Sequence, residues 1–366
     1  MSSLFDKAYI GTMELKNRFI RSATWEGMTE ETGEPTEALI ELYKELASGG
    51  VGLILTGFAY VNKQGKANPR MLGIEHDRFI PYLNKLTEAV HTQGCKIAVQ
   101  VAHAGSQAKY DTGMPVQAPS VVKERYTNKM PVAMTEEDIE ALVLDFAHAA
   151  RRAKEAGFDA IQIHAAHGYL LSQFLSPYSN QRDDKYGGSI ENRSKVIFGI
   201  YNAMRSTVGN DYPILIKINV SDFIIPGLEP EDSLWVCKKL SHMGIDAIEL
   251  SGGIPAAGEL FPLRLNINST DREACFKPFA KMFLPHLKCP VILVCGLRSI
   301  EIIEELYRDK AAHFFSMSRP LISEPDLIAK WQRGDRSRAK CVSCNKCLLA
   351  ALREKKLYCV SLKKEK

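Results

Sequence analysis

Short apolar runs rich in β-branched residues alternate along the chain with longer stretches in which apolar positions recur every three or four residues. The runs cover residues 19–24, 51–58, 96–102, 160–164, 214–218, 247–250, 291–295 and 313–317. Each is nearly continuous in apolar character, the pattern of a parallel strand covered on both faces. The periodic stretches predict helices over 36–48, 78–93, 135–156, 191–208, 231–243, 271–287, 300–309 and 325–332. Thr135 followed by Glu136, Glu137 and Asp138 reads as an N-cap with acidic residues in the first turn, where the helix dipole favours them. Gly49, Gly94, Gly157, Gly209 and Gly244 each stand just past a helix and before a strand, as C-terminal caps do.

Eight such strands alternating with eight helices predict an α/β fold closed into a (β/α)8 barrel, the TIM barrel. Such a barrel needs about 250 residues and accepts insertions. The 366 residues therefore fit one barrel over 1–335 and a short Cys-containing extension over 336–366. An open, doubly wound sheet is the alternative. It is disfavoured because no G-x-G-x-x-G opens the first helix: Gly50-Val51-Gly52 comes before a strand and lacks the third glycine. Two long connections, 103–134 and 165–190, leave the C-terminal ends of the third and fourth strands, where barrels build active sites.

Composition adds little to this until the tail. Hydrophobic residues are 45% and charged residues 25%, ordinary values for a globular protein. No apolar run approaches the roughly 18 residues of a membrane span. The first residues lack the basic-then-apolar layout of a signal peptide, so a cytoplasmic location without membrane contact is expected. The formal charge of +4 is unevenly spread: from Lys330 onward there are 12 Lys/Arg against 3 Asp/Glu. A solvated terminus accounts for this, and without aromatic support no nucleic-acid partner is expected. Of the nine cysteines, Cys95, Cys237, Cys275, Cys289 and Cys295 are scattered and read as small buried apolar residues. Cys341, Cys344, Cys347 and Cys359 cluster at the end and suggest a metal.

The densest chemistry follows the fourth strand, where His164, His167 and Tyr169 fall within six residues. Two imidazoles three apart share a face if the chain turns helically, and can hold and polarise a carbonyl oxygen. A phenol beside them can deliver a proton. A buried polar cluster at the base of a loop is the plainer reading. A metal site from the two histidines has no third ligand nearby.

The segment from His164 through Tyr169 to Tyr186-Gly-Gly-Ser-Ile-Glu-Asn-Arg193 resembles the signature of the old yellow enzyme family of FMN-dependent ene-reductases. The similarity runs over nearly the whole chain. It takes in Leu4-Phe5, Ile10-Gly11, Leu15-Lys16-Asn17-Arg18 and Gln100-Val101-Ala102-His103-Ala104-Gly105. The resemblance implies that FMN lies across the barrel mouth and passes hydride from N5 to the β-carbon of an α,β-unsaturated carbonyl or nitro compound. His164 and His167 then bind the electron-withdrawing oxygen as negative charge develops on it. Tyr169 protonates the α-carbon, and NADH or NADPH reloads the flavin in the same pocket.

Flavin contacts are implied from Ala23 and Thr24 at the end of strand one, Gly57 and Phe58 at the end of strand two, and the Gln100 amide on strand three. Lys217 on strand five would stabilise the reduced ring. The family has Arg there, and Lys keeps the charge while losing the two-pronged fork. The phosphate is expected at Gly296-Leu297-Arg298 and Ser318-Arg319, after strands seven and eight. Ser318 replaces the family's Gly. Trp25 stands in place of a flavin-tuning Cys, Gly27 in place of a substrate-contacting Tyr, and Ser106 in place of an Arg, so flavin potential and pocket shape are open.

The tail pattern Cys341-Val-Ser-Cys344-Asn-Lys-Cys347 with Cys359 resembles the cluster motif of trimethylamine dehydrogenase and dienoyl-CoA reductase, larger relatives with a [4Fe–4S] cluster. Zinc suits four thiolates as well, and free thiols are the third possibility. Those relatives continue into a second flavin and nucleotide domain, whereas this chain stops at Lys366. The expected function is FMN-dependent reduction of activated C=C bonds in a small unsaturated substrate at the expense of NAD(P)H, by a homo-oligomer. One alternative is a dehydrogenase or demethylase on the same scaffold that passes electrons through the tail cluster to a partner. The other is a flavin-free phosphate-binding barrel such as an aldolase or isomerase.

Overall fold

The computed structural model describes residues 3–125 and 127–363, so the last three residues of the predicted tail lie outside the described residues. Eight parallel strands form the core: β1 Phe19–Arg21, β2 Leu53–Leu55, β3 Lys96–Ala102, β4 Ala160–Ala165, β5 Ile214–Asn219, β6 Ala247–Ser251, β7 Val291–Leu293 and β8 Phe314–Met317. Each strand pairs with the next. β8 returns to β1 through Phe315 opposite Phe19, and β3 meets β4 through Gln100 opposite Gln162, so the ring closes. The expected (β/α)8 barrel is the fold.

One helix lies on the outside after each strand: Glu37–Ser48, Ile80–His91, Glu136–Glu155, Lys195–Val208, Pro230–Met243, Lys277–Phe283, Ile300–Arg308 and Leu327–Gln332. The start predicted at Thr135 forms a reciprocal cap. Its hydroxyl accepts from the Asp138 amide at 3.1 Å, and the Asp138 carboxylate accepts from the Thr135 amide at 2.9 Å. Among the described residues, no helix is long and apolar enough to cross a membrane.

Several boundaries differ from the sequence pattern, for local reasons. The second strand, predicted over 51–58, ends at Leu55 because the chain turns at Thr56 and Gly57, where any side chain on Gly57 would collide with the Glu26 carboxylate. It resumes at Ala59–Tyr60 against the end of β3. The helix predicted over 271–287 shrinks to Lys277–Phe283, flanked by single 3-10 turns. The cap expected at Gly49 has an ordinary φ of −70°, and the left-handed residue is Gly50, φ 100°, which packs against the Ala329 backbone. Cys275 and Cys295, read as separate buried residues, are joined in a disulfide with Cα atoms 5.7 Å apart. They lie 20 residues apart, one just before the helix Lys277–Phe283 and the other just past β7.

Strand side chains alternate in direction, so every second residue points into the barrel. The lowest interior layer is apolar and takes one or two residues from every strand: Ile20, Leu53, Leu55, Ala98, Ala160, Leu215, Ala247, Ile292 and Phe314. A hairpin of Ala8–Ile10 and Met13–Leu15, unforeseen in the sequence, plugs this end with Ile10 and Leu15, both fully buried. Burying each contributes about 1.5–3 kcal/mol. Two residues further along the strands, the interior turns polar: Ser22, Gln100, Gln162, Lys217, Glu249 and Ser316, all buried. The next step up reaches the barrel mouth with Thr24, His164, Ser251 and Ser318.

Candidate active site

A cavity of 280 Å³ opens at the C-terminal ends of the strands. Its wall includes Ala23, Thr24, Phe58, Gln100, His164, His167, Tyr169, Lys217, Gly296, Leu297, Arg298, Ser318 and Arg319. Nearly all the residues singled out in the barrel sequence thus face one space. Gly57 stands behind it. The Gly57 amide donates to the Tyr43 hydroxyl at 3.0 Å, which donates in turn to Glu26 at 2.7 Å. Glu26 also takes Arg21 at 2.6 Å, a fully buried pair that fixes the loop carrying Ala23, Thr24 and Trp25.

The floor is a connected polar network. Lys217 Nζ donates to Ser22 Oγ at 2.9 Å and lies 3.3 Å from the Glu249 carboxylate. Glu249 accepts from Ser22, Ser316 and Gln162, each at 2.8 Å. Gln162 in turn accepts from Gln100 Nε2 at 2.7 Å, which leaves the Gln100 side chain held at the cavity wall. Burial pushes the Lys217 ammonium below its usual range, and Glu249 opposes that shift. Charges this deep persist only when paired. Glu249 and Gln162 were not singled out from the sequence. The signal was a carboxylate and an amide at inward positions of otherwise apolar strands.

The reactive corner stands above this floor. His164 is the penultimate residue of β4, and its Nδ1 accepts from the Ala166 amide at 3.3 Å, which puts the ring proton on Nε2. His167 takes a left-handed backbone, φ 64°, so that its amide reaches Asn219 Oδ1 at 3.1 Å while its Nε2 reaches Ser251 Oγ at 2.7 Å. The two rings lie 5.1 Å apart, and Tyr169 stacks edge-on 4.9 Å from His164 and 5.3 Å from Phe58. Tyr169 is the residue before a short helix, Leu170–Leu175, inside a stretch that read as loop. Burial, followed by repulsion from Lys217, lowers His167 to about 3. The same burial, together with His167 and Lys217, drives His164 well below the usual range. Both imidazoles are therefore neutral near pH 7; His164 has its Nε2–H to donate, and His167 Nε2 is engaged with Ser251.

The far end of the cavity is cationic. Arg298 is buried, its Nη1 is bound to the Ile267 carbonyl, and its Nε and Nη2 have no partner among the described residues. Arg319 donates to the Arg264 carbonyl and to Asn345 Oδ1, both at 2.7 Å. Burial pushes both guanidiniums down. Orphaned donors on a buried arginine call for an anion. Thr24 Oγ1 and Ser318 Oγ, 2.6 Å apart, close the ring between β1 and β8 beside it. A planar, hydrogen-bonding ring over Gln100 and Lys217, with a phosphate at Arg298 and Arg319, fits these residues, and FMN has both parts.

The expected tail ligands lie near one another: the Cys341 thiol feels Cys359, and Cys347 feels Cys341 and Cys344. Among the described residues, no three His, Cys, Asp or Glu side chains gather in a way that could hold a metal. Cys344 Sγ instead contacts Ser361 Oγ at 3.8 Å, and Cys347 faces the cavity. The tail itself is packed against the barrel mouth, where the helix Lys346–Glu354 adds Leu348 and Leu352 to the cavity wall.

Known proteins are similar to this chain. The model of the NADH:flavin oxidoreductase / NADH oxidase family matches residues 3–337. A metal reductase of Desulforamulus reducens is 36% identical over 369 residues, covering 98% of this chain and 53% of that protein. The chain thus spans about half the length of that relative. A 4,4'-dithiodibutanoate disulfide reductase of Rhodococcus erythropolis is 31% identical, over 94% of this chain and 92% of its own length. The solved old yellow enzyme homologue of Zymomonas mobilis superposes with a TM-score of 0.79 at 26% identity, over 92% of this chain and 94% of that one. Barrel, cavity and sequence agree: the chain belongs to the NADH:flavin oxidoreductase / NADH oxidase family, that of the old yellow enzymes.

Proposed function

We propose that this chain is an FMN-dependent ene-reductase that uses NADH or NADPH to reduce the C=C bond of small α,β-unsaturated carbonyl compounds. The observation that carries the reading is the neutral His164–His167 pair with Tyr169 beside it, all facing a cavity whose other walls suit a flavin. Bound FMN would supply the hydride, drawn from NAD(P)H and given to the β-carbon of the acceptor. The chain's own residues do the rest. His164 Nε2–H and the His167 ring donate to the acceptor's carbonyl oxygen and stabilise the charge that builds on it. Tyr169 gives a proton to the α-carbon, completing the addition of two hydrogens across the double bond. Lys217, anchored by Ser22 and Glu249, holds positive charge beneath the ring site.

The neutrality of the pair matters. An imidazolium would attract anions of any kind, whereas a neutral N–H rewards an oxygen that becomes more negative in the transition state. The test is anaerobic turnover of FMN-loaded protein with cyclohexenone and NAD(P)H, followed by gas chromatography. Cyclohexanone formed in step with NAD(P)H consumed supports the reading. Bound FMN that is reduced by NAD(P)H while cyclohexenone stays intact contradicts it.

A further inference from the structure

We infer that the C-terminal segment is a built-in wall of the flavin cavity and that Arg70 is the positioning residue that staples it there; this rests on the flavin reading above. The helix Lys346–Glu354 has nine residues, too few to be stable alone, since isolated helices below about 12 residues are marginal in water. It is pinned at both ends. At its start, the Asn345 side chain accepts from Arg319 and donates to the Leu263 carbonyl, both at 2.7 Å. At its end, Arg70 Nη2 donates to the carbonyls of Ala351 at 2.8 Å and Leu352 at 3.3 Å. These belong to the last turn, whose carbonyls have no partner within a helix.

The same arginine ties the wall to the loop after β1. Arg70 Nε donates to the Gly27 carbonyl, and the Arg70 carbonyl accepts from the Trp25 indole, both at 2.7 Å. Trp25, Leu348, Leu352 and Leu357 all face the cavity, and Leu352 keeps 45% of its surface exposed. The flavin ring has a polar pyrimidine edge and an apolar dimethylbenzene edge. With Gln100 and Lys217 suited to the first, this apolar wall suits the second, and covering it removes apolar surface from water.

The test uses the full chain. Arg70→Ala should raise the FMN dissociation constant, read by quenching of flavin fluorescence, by about tenfold, the worth of one charge-assisted hydrogen bond. Trypsin cleavage after Arg353 and Lys355 should accelerate to a similar degree. Arg70→Lys, which keeps the charge but cannot reach both segments, should recover part of each. Leu352→Ser, which breaks no hydrogen bond, should weaken FMN binding without speeding cleavage, and covers the case in which Arg70→Ala does not fold. Wild-type affinity and protection in Arg70→Ala would overturn the inference. So would loss of FMN with the tail still protected, since Arg70 would then act through the Trp25 loop alone. If the wild-type chain binds no FMN, the flavin reading fails, and the cleavage rates still decide whether Arg70 holds the tail.

Discussion

The rings of His164 and His167 stand edge to face, their centroids 5.1 Å apart and their planes at 85°. Neither ring can lean on the other for a strong hydrogen bond in this geometry. Each is oriented from outside the pair instead, His164 by the Ala166 amide and His167 by Ser251 and Asn219. On the ene-reductase reading proposed above, the pair converges on a third atom, the acceptor oxygen.

Removing both rings should therefore abolish acceptor binding more than flavin binding. The His164→Ala, His167→Ala double variant should lose the charge-transfer band that a phenol produces with oxidised flavin. Its kcat/KM for cyclohexenone should fall by about a hundred- to a thousandfold, as for loss of preorganised donors elsewhere. A phenol band of unchanged strength would remove these residues from the anion-binding role.

Tyr169 has a separable role. In Tyr169→Phe, the rate of alkene reduction should drop by about a hundredfold or more, the usual scale for a positioned acid. Flavin reduction by NAD(P)H should be nearly intact. Equal losses in the two half-reactions, measured by stopped-flow absorbance, would rule out the proton-donor assignment.

Buried neutral histidines also write a signature into acid stability. His103 and His167 are both lowered to about 3 by burial, against an ordinary value of 6.5. As pH falls below 6.5, the unfolded chain takes up protons on these residues and the folded chain does not. The stability they contribute is thus full above that pH and is lost as pH falls toward 3. Each group gives a slope of about 1.4 kcal/mol per pH unit inside the window. His103→Gln should flatten the urea-measured stability profile between about pH 6 and pH 4 by roughly that amount. An unchanged slope would mean that His103 is not held neutral.

Glu249 is the hub of the polar floor, accepting from Ser22, Ser316 and Gln162 and facing Lys217. Glu249→Gln would leave Lys217 buried without its carboxylate and should destabilise the fold by about 3–5 kcal/mol in urea unfolding. A loss below about 1 kcal/mol would show that Lys217 is already neutral.

The barrel was legible because parallel strands covered on both faces read as apolar runs, and the His164–Tyr169 segment was legible because its residues are close in sequence. Part of what escaped depends on closure of the ring. Glu249 looks like an isolated acid until Ser22, Gln162, Lys217 and Ser316 arrive from four other strands. The Arg70–Ala351 contact joins segments that nothing local connects, and the Cys275–Cys295 bridge spans a whole helix and strand, with no spacing signal in either cysteine. The short helix after Tyr169 escaped for a different reason: Leu170–Leu175 is buried all round, so it carries no amphipathic period. At β2 the apolar run outlasts the strand, since Gly57 yields its space to Glu26, a contact outside the run itself.

The most direct test separates the two half-reactions in the wild-type chain. FMN-loaded protein is reduced anaerobically with a stoichiometric amount of NAD(P)H, then mixed with cyclohexenone while flavin absorbance is followed. An ene-reductase reoxidises fully, with one saturated ketone formed per flavin. Reduced flavin that persists in the presence of the enone, yet reoxidises at once when air is admitted, would contradict the assignment of His164, His167 and Tyr169 to alkene reduction.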